Sequence, residues 1–193
     1  MKVFITVIIL IFSLQSWTKA EDISDFEIEG ISVGDSLLDY FSEDEINSNL
    51  VNFKEITDKK FSIFTTGNLR SYELYEYIDI RFLTGSSNFI IHSIDGMNDY
   101  KREDMQKCYD LQNILEKELD KIFLNFEKRK VSFKSQYDET GKSIITAVYY
   151  DGKSGYVEIS CYHFSENVRY NSGINVAVSS NEMREWLKIL RNN

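Results

Sequence analysis

Proline is absent from the 193 residues, and alanine occurs only at Ala20, Ala147 and Ala177. Ile, Asn, Lys, Tyr and Phe are plentiful instead, the residues of A/T-rich codons. The 12 Tyr and 13 Phe therefore say less about an aromatic binding surface than their number suggests. Basic charge is also short, with 22 Lys and Arg against 31 Asp and Glu and a net charge of −9. A surface that acidic repels phosphate backbones and anionic lipid, which argues against nucleic acid and membrane-surface partners. Histidine is limited to His92 and His163, both in apolar strand-like stretches, so a Ser-His-Asp site has little to build on.

What is present first is an address. Lys2 precedes the unbroken apolar run Val3–Leu14, and a short polar segment leads to Thr18-Lys19-Ala20. A positive start, an apolar middle and small residues three and one before a cut have the form of a secretory signal peptide. Cleavage is expected between Ala20 and Glu21, making residues 1–20 the leader and 21–193 a single α+β domain. The apolar run falls short of the ~20 residues that span a bilayer, and no Cys follows the cut to carry lipid. The expected location is periplasmic or secreted, with no membrane span after cleavage. Loss of Lys2 and Lys19 takes the net charge from −9 to −11.

Along the remaining chain, alternation predicts a short strand over Phe26–Ile31, with Gly30 and Gly34 bracketing a turn. Ser32 or Asp35 can then cap a helix through Leu37, Leu38, Tyr40 and Phe41. Ser42, followed by Glu43-Asp44-Glu45, marks a second helix running to about Val51. Strands follow at Phe61–Thr66, Leu74–Phe82 and Phe89–Ile94. Between Leu74 and Phe82 one parity is apolar and the other carries Tyr75, Tyr77, Asp79 and Arg81, as in an antiparallel sheet with one solvated side. Spacings of three and four from Met105 through Cys108, Leu111, Gln112, Leu115, Leu119 and Ile122 to Phe126 predict one long helix over Asp99–Asn125. Four further strands are read at Val131–Tyr137, Ser143–Tyr150, Tyr156–Phe164 and Ile174–Ser179, and a closing helix at Glu182–Leu190. Strands in runs between helices indicate an α+β fold, mainly an antiparallel sheet with the long helix packed across it, a short N-terminal helix pair and a C-terminal helix. Two similar halves, each with helix before strands, fit that order.

The stretch from Phe26 to Leu38 (FEIEGISVGDSLL), with Tyr40-Phe41-Ser42 and the acids after it, resembles one end of a family of uncharacterised small exported proteins of marine alphaproteobacteria. Ser160-Cys161-Tyr162 and the closing helix with Trp186-Leu187 resemble its other end. The resemblance implies export and a shared architecture; no known activity comes with it. Gly34 and the helix after it also resemble helix-then-sheet envelope modules of the outer-membrane assembly-lipoprotein or β-lactamase-inhibitor type, a likeness of fold alone.

Several constellations invite chemistry. Cys108 lies on the long helix's apolar stripe and Cys161 on the apolar parity of a strand, so an exported chain would join them in a disulfide. Closing that loop stabilises by about 2–4 kcal/mol; the alternative is two buried thiols. Cys108, Cys161, His163 and His92 together make a Cys2His2 set, but only Cys161 and His163 are close in sequence, and their spacing is not a common structural-zinc pattern. The same pair as nucleophile and base stands about 6.5 Å apart on a strand, too far for a hydrogen bond. Both histidines read more simply as satisfied core residues.

Gly141–Ser143 and Gly152–Ser154 are Gly-Lys-Ser strings, yet Gln136 and Ala147 stand where a phosphate loop needs glycine. They read as hairpin turns. Asp95-Gly96-Met97-Asn98-Asp99 and Asp138-Glu139 lack the ligand order of a calcium loop and read as turn residues and a helix cap. Tyr72, Tyr75 and Tyr77, with Glu73 and Glu76, form the one exposed-looking aromatic patch. It could hold a sugar or peptide, but ordinary sheet-surface tyrosine is the simpler reading, because strands favour Tyr without any ligand. No catalytic residue, metal ligand or cofactor is indicated.

The function expected on these grounds is that of an exported, non-enzymatic, envelope-associated binding or interaction module. Its partner would be a protein or small-molecule ligand of the cell envelope. The alternative is a small periplasmic hydrolase using paired carboxylates or His163. A pocket gathering such groups favours the hydrolase, and an open sheet surface favours the module.

Overall fold

Eight strands hydrogen-bond into one antiparallel sheet in a computed structural model that describes residues 20–51, 59–67 and 69–192. In chain order the elements are β1 (Glu27–Ile28), β2 (Ile31–Ser32), α1 (Glu43–Ser48), β3 (Leu50–Val51), β4 (Phe61–Thr65), β5 (Tyr77–Leu83) and β6 (Ile91–Tyr100). Then come α2 (Met105–Ile122), β7 (Glu127–Lys134), β8 (Ile144–Asp151), β9 (Gly155–His163), β10 (Ser172–Ser180) and α3 (Asn181–Asn192). The large sheet runs β3-β4-β5-β6-β10-β9-β8-β7. Each half places a helix before a four-stranded meander, and the two meanders join through their last strands, with Gly96 opposite Val176 and Asp95 opposite Ala177.

One sheet face is the core. Phe64, Ile78, Ile80, Ile94, Val176, Val178, Val157, Ile159 and Tyr150 share a parity across the strands and are buried. Full burial of each aliphatic side chain among them is worth about 1.5–3 kcal/mol, which is why this parity faces inward. Helix α2 lies over β9 and β10 on that face. Met105, Cys108, Gln112, Glu116 and Leu119 are its buried positions, while Leu115 and Ile122 are only half-buried. Gln112 is tolerated inside because its amide donates to the carbonyls of Ile159 (2.9 Å) and Thr146 (3.0 Å).

The N-terminal helix pair reduces to one helix. Leu37–Asp39 forms only a 3-10 turn capped by Ser36, and α1 stops at Ser48 so that Leu50 and Val51 can pair with Phe64 and Ile63. Ser42 and Glu45 cap each other reciprocally at the start of α1, as the acidic first turn suggests. The expected strand over Phe26–Ile31 is instead a hairpin. Glu29 and Gly30, at φ 52° and 77°, are its two turn residues, the conformation a two-residue hairpin requires.

The long helix begins at Met105, after a 3-10 turn, because Asp99 and Tyr100 are held in β6 by pairing with Gly173 and Ser172. Strand β7 begins at Glu127, four residues before the expected start. The expected signal peptide lies outside the described residues apart from Ala20. That residue is buried, and its backbone N–H donates to the Ile122 carbonyl at 3.3 Å. Glu21 is exposed. No described helix is long and apolar enough to cross a membrane.

Candidate binding face of the sheet

Cys108 and Cys161 are brought together by the packing of α2 on β9, with Cα atoms 6.0 Å apart and sulfurs bonded at 1.99 Å. Both are fully buried. With the cysteines joined, the zinc and thiol readings lose their ligands and nucleophile. His92 sits where β6 nears Ser180, with Nδ1 3.2 Å from the Ser180 hydroxyl and 3.6 Å from Glu182. Burial holds its pKa below the ordinary value, against the pull of Glu182. His163 ends β9 near the opposite end of β10. It is half-buried rather than a core residue and lines a hollow of about 440 Å3 with Arg102, Lys142, Ser165 and Glu166. Among the described residues no three His, Cys, Asp or Glu side chains are grouped to hold a metal.

The Arg102 guanidinium in that hollow is committed to the carbonyls of Phe164 (3.0 Å) and Val168 (3.4 Å). Beside it, Asp138 is buried and organises the β7–β8 loop. It accepts from the Ser143 hydroxyl (2.6 Å) and N–H (2.8 Å), from the Thr140 hydroxyl (2.6 Å) and from the Ser165 hydroxyl (2.8 Å). Those bonds, Ser143 foremost, hold its carboxyl well below the usual range. The turn reading of this stretch and of both Gly-Lys-Ser strings stands.

The aromatic patch is less open than the sequence implies. Tyr72, Tyr75 and Tyr77 are half-buried, and Tyr72 and Tyr75 pack against the core. A Cβ at Gly96 would lie 2.8 Å from the Tyr75 ring, so glycine is what lets the ring seat there.

The sheet's second face carries the unexpected chemistry. Asp95 is not in a turn but in mid-strand on β6, directly opposite Asp79 of β5 and Ala177 of β10. Arg81 forms an ion pair with Asp95, the Ser93 hydroxyl donates to it at 3.0 Å and the Asn175 amide at 3.2 Å. Ser93 in turn bonds Ser179 at 2.8 Å. Asp95 and Asn175 are 7% and 8% exposed, and the Asn175 Oδ1 atom is buried without a hydrogen-bond partner. Burial pushes the Asp79 carboxyl up; Thr65 and Arg81 counter this, and the facing Asp95 charge adds to it.

Beyond Ala177 the same face continues through Glu158, Ser160, Tyr156 and Tyr162 of β9 to Tyr149 and Asp151 of β8. Tyr156 and Tyr149 lie 6.0 Å apart, with Arg184 over the first ring at 4.9 Å and Arg129 over the second at 4.8 Å. Asp151 joins both arginines, at 2.8 Å to Arg129 and 2.9 Å to Arg184. Helix α3 covers one corner of this face, where Met183 and Trp186 pack on Phe61 and Leu83. Compared with family models, curated proteins and solved structures, the chain matches none of them.

Asp95 was hidden because Gly96 and the surrounding Asp and Asn residues imitate a turn, while Asn175, inside the expected strand Ile174–Ser179, carries no local sign of its distant partner. The usable signal was parity: Ser93, Asp95 and Met97 alternate with Ile94 and Gly96, and Asn175, Ala177 and Ser179 with Ile174, Val176 and Val178.

Proposed function

We propose that the protein is an exported, non-enzymatic binding module of the cell envelope, and that the second sheet face is its ligand-facing surface. The observation that carries this is the Arg81–Asp95–Asn175 array, with a buried amide oxygen left unpartnered. Apolar side chains at such positions fold a protein at least as well, so buried ion pairs and unpaired amides point to a task other than stability. A rigid antiparallel sheet also holds such groups in fixed positions, which lowers the entropy lost on binding. The buried disulfide fits an oxidising compartment, and the leader-like N-terminus and the family resemblance fit export.

One observation favours the hydrolase reading instead: Asp79 and Asp95 face each other across two strands, with Asp79 pushed toward its protonated form. Against it, Asp95 is already engaged by three partners, and a general base needs a free lone pair on its reacting oxygen.

The test is an NMR titration of the isotope-labelled protein with the soluble low-molecular-weight fraction of an envelope extract. Shifts centred on Asp79, Arg81, Asp95 and Asn175 support the module. Shifts confined to the His163 hollow or to the helical side, or none, overturn it. Conversion of an extract component that is lost in Asp79→Asn would establish the hydrolase.

A further inference from the structure

We infer that the hollow beside His163 binds a small zwitterion, a free amino acid or short peptide, at a site separate from the second sheet face. His163 ends β9 with the parity of Cys161, the residue bonded to α2, so the hollow lies on the helical side of the sheet. Three segments wall it: Arg102 just before α2, Lys142 at the end of the β7–β8 loop, and residues 163–167 where β9 runs into the β9–β10 loop. Its volume of about 440 Å3 falls within the ~300–1,000 Å3 usual for small-molecule sites.

The walls are fixed before any ligand arrives. The Asp138 carboxylate ties the two loops together through the Ser143 and Ser165 hydroxyls, and the Ser165 N–H donates to the Ser143 hydroxyl at 2.8 Å. Arg102 holds the carbonyls of Phe164 and Val168, and the Phe164 N–H donates to the Ser172 hydroxyl at 2.9 Å. Loops tied down in this way lose little further entropy on binding.

The charged side chains of the hollow are left open. Lys142 and Glu166 line it with opposite charges, yet among the described residues neither forms a hydrogen bond or ion pair, with each other or with any other group. His163, half-buried, has no hydrogen-bond partner among them either. Elsewhere the chain pairs cations with acids, as at Lys128, Lys130, Arg129 and Arg184. Opposite charges held apart in one hollow fit a molecule that carries both. A carboxylate can meet Lys142, with the Arg102 charge beside it, and an ammonium can meet Glu166. Between them the His163 ring can hydrogen-bond the ligand's polar atoms, and buried Phe164 offers an apolar wall for a side chain. A ligand of one sign leaves the other unpaired, and a net anion also meets a chain of net charge −9.

The probes are phenylalanine and the tripeptide Ala-Phe-Ala, with the N-acetylated and C-amidated tripeptides as controls, titrated into the isotope-labelled protein at up to millimolar concentration. The expected result is saturable NMR shifts at Lys142, His163, Glu166 and Asn167 with the uncapped forms. Capping either end should weaken binding at least threefold. Lys142→Met should weaken the free tripeptide as much and leave the amidated one unchanged; Glu166→Gln should do the same for the free and the acetylated forms. Both side chains are exposed, so the remaining amide spectrum should stay in place. A tripeptide that binds more tightly than phenylalanine names peptides as the source, and equal affinity names free amino acids; both uphold the inference. No saturable shifts, shifts centred elsewhere, or equal binding of capped and free forms overturns it. The second sheet face takes no part in this test, so the module reading stands or falls on the extract titration alone.

Discussion

Arg81 of β5 and Asp95 of β6 form an ion pair on the sheet face turned away from the core, with their side chains only 20% and 10% exposed. Folding alone does not ask for such a pair, because removing two charges from water costs about as much as their attraction returns.

Replacing one partner therefore differs from replacing both. Asp95→Ala should lose about 3 kcal/mol by leaving the Arg81 charge buried and unpaired. The double variant Arg81→Met with Asp95→Leu should stay within about 1 kcal/mol of the parent or exceed it. Urea unfolding followed by circular dichroism reads both, and a double variant as unstable as the single one would contradict this account.

The disulfide ties α2 to β9 across a sequence separation of 53 residues. Cys161→Ser should cost about 2–4 kcal/mol in oxidising buffer and far less when the parent is reduced before comparison. Intact mass without reductant should fall short of the dithiol by two hydrogens.

Export should be visible at the N-terminus. The protein recovered from its host should begin at Glu21 and fractionate with soluble periplasmic or secreted proteins. Membrane-bound material that keeps Met1 would contradict it. Cleavage also removes the Ala20–Ile122 backbone bond, so the end of α2 should exchange amide hydrogens faster in the mature chain.

Edge strand β7 should release first in acid. Lys128 reaches Glu116 and Asp120, each at 2.6 Å, Lys130 reaches Glu116 at 2.6 Å, and the Tyr150 hydroxyl donates to Asp120 at 2.8 Å. Burial alone would raise both carboxyls, but the lysine hydrogen bonds outweigh it and hold them below their ordinary values. Carboxyls lowered by folding contribute in full above their unfolded pKa of about 4, and that contribution is lost as the pH falls through the lower folded values. Urea midpoints should drop between pH 5 and pH 3, and Lys128→Met should flatten that dependence. An unchanged dependence in Lys128→Met would place the acid sensitivity elsewhere.

Local patterns in the chain were enough to settle the α+β class, the strand runs, the long helix and the N-cap of α1 at Ser42 with its acidic first turn, because period and caps are properties of neighbouring residues. The cysteine pairing was also legible, since each cysteine sits on an apolar parity of its own element. Other features depended on partners distant in sequence. Asp99 and Tyr100 left the helical pattern because Gly173 and Ser172 pair with them, and β7 extended to Glu127 because its lysines find acids on α2. Asp95 looked like a turn former until pairing set it opposite Ala177, and Asn175, within its expected strand, met the Asp95 carboxylate only through that register. A strand's own alternation says which side chains share a face, but register between strands distant in sequence decides which of them meet, and only the folded sheet sets that register.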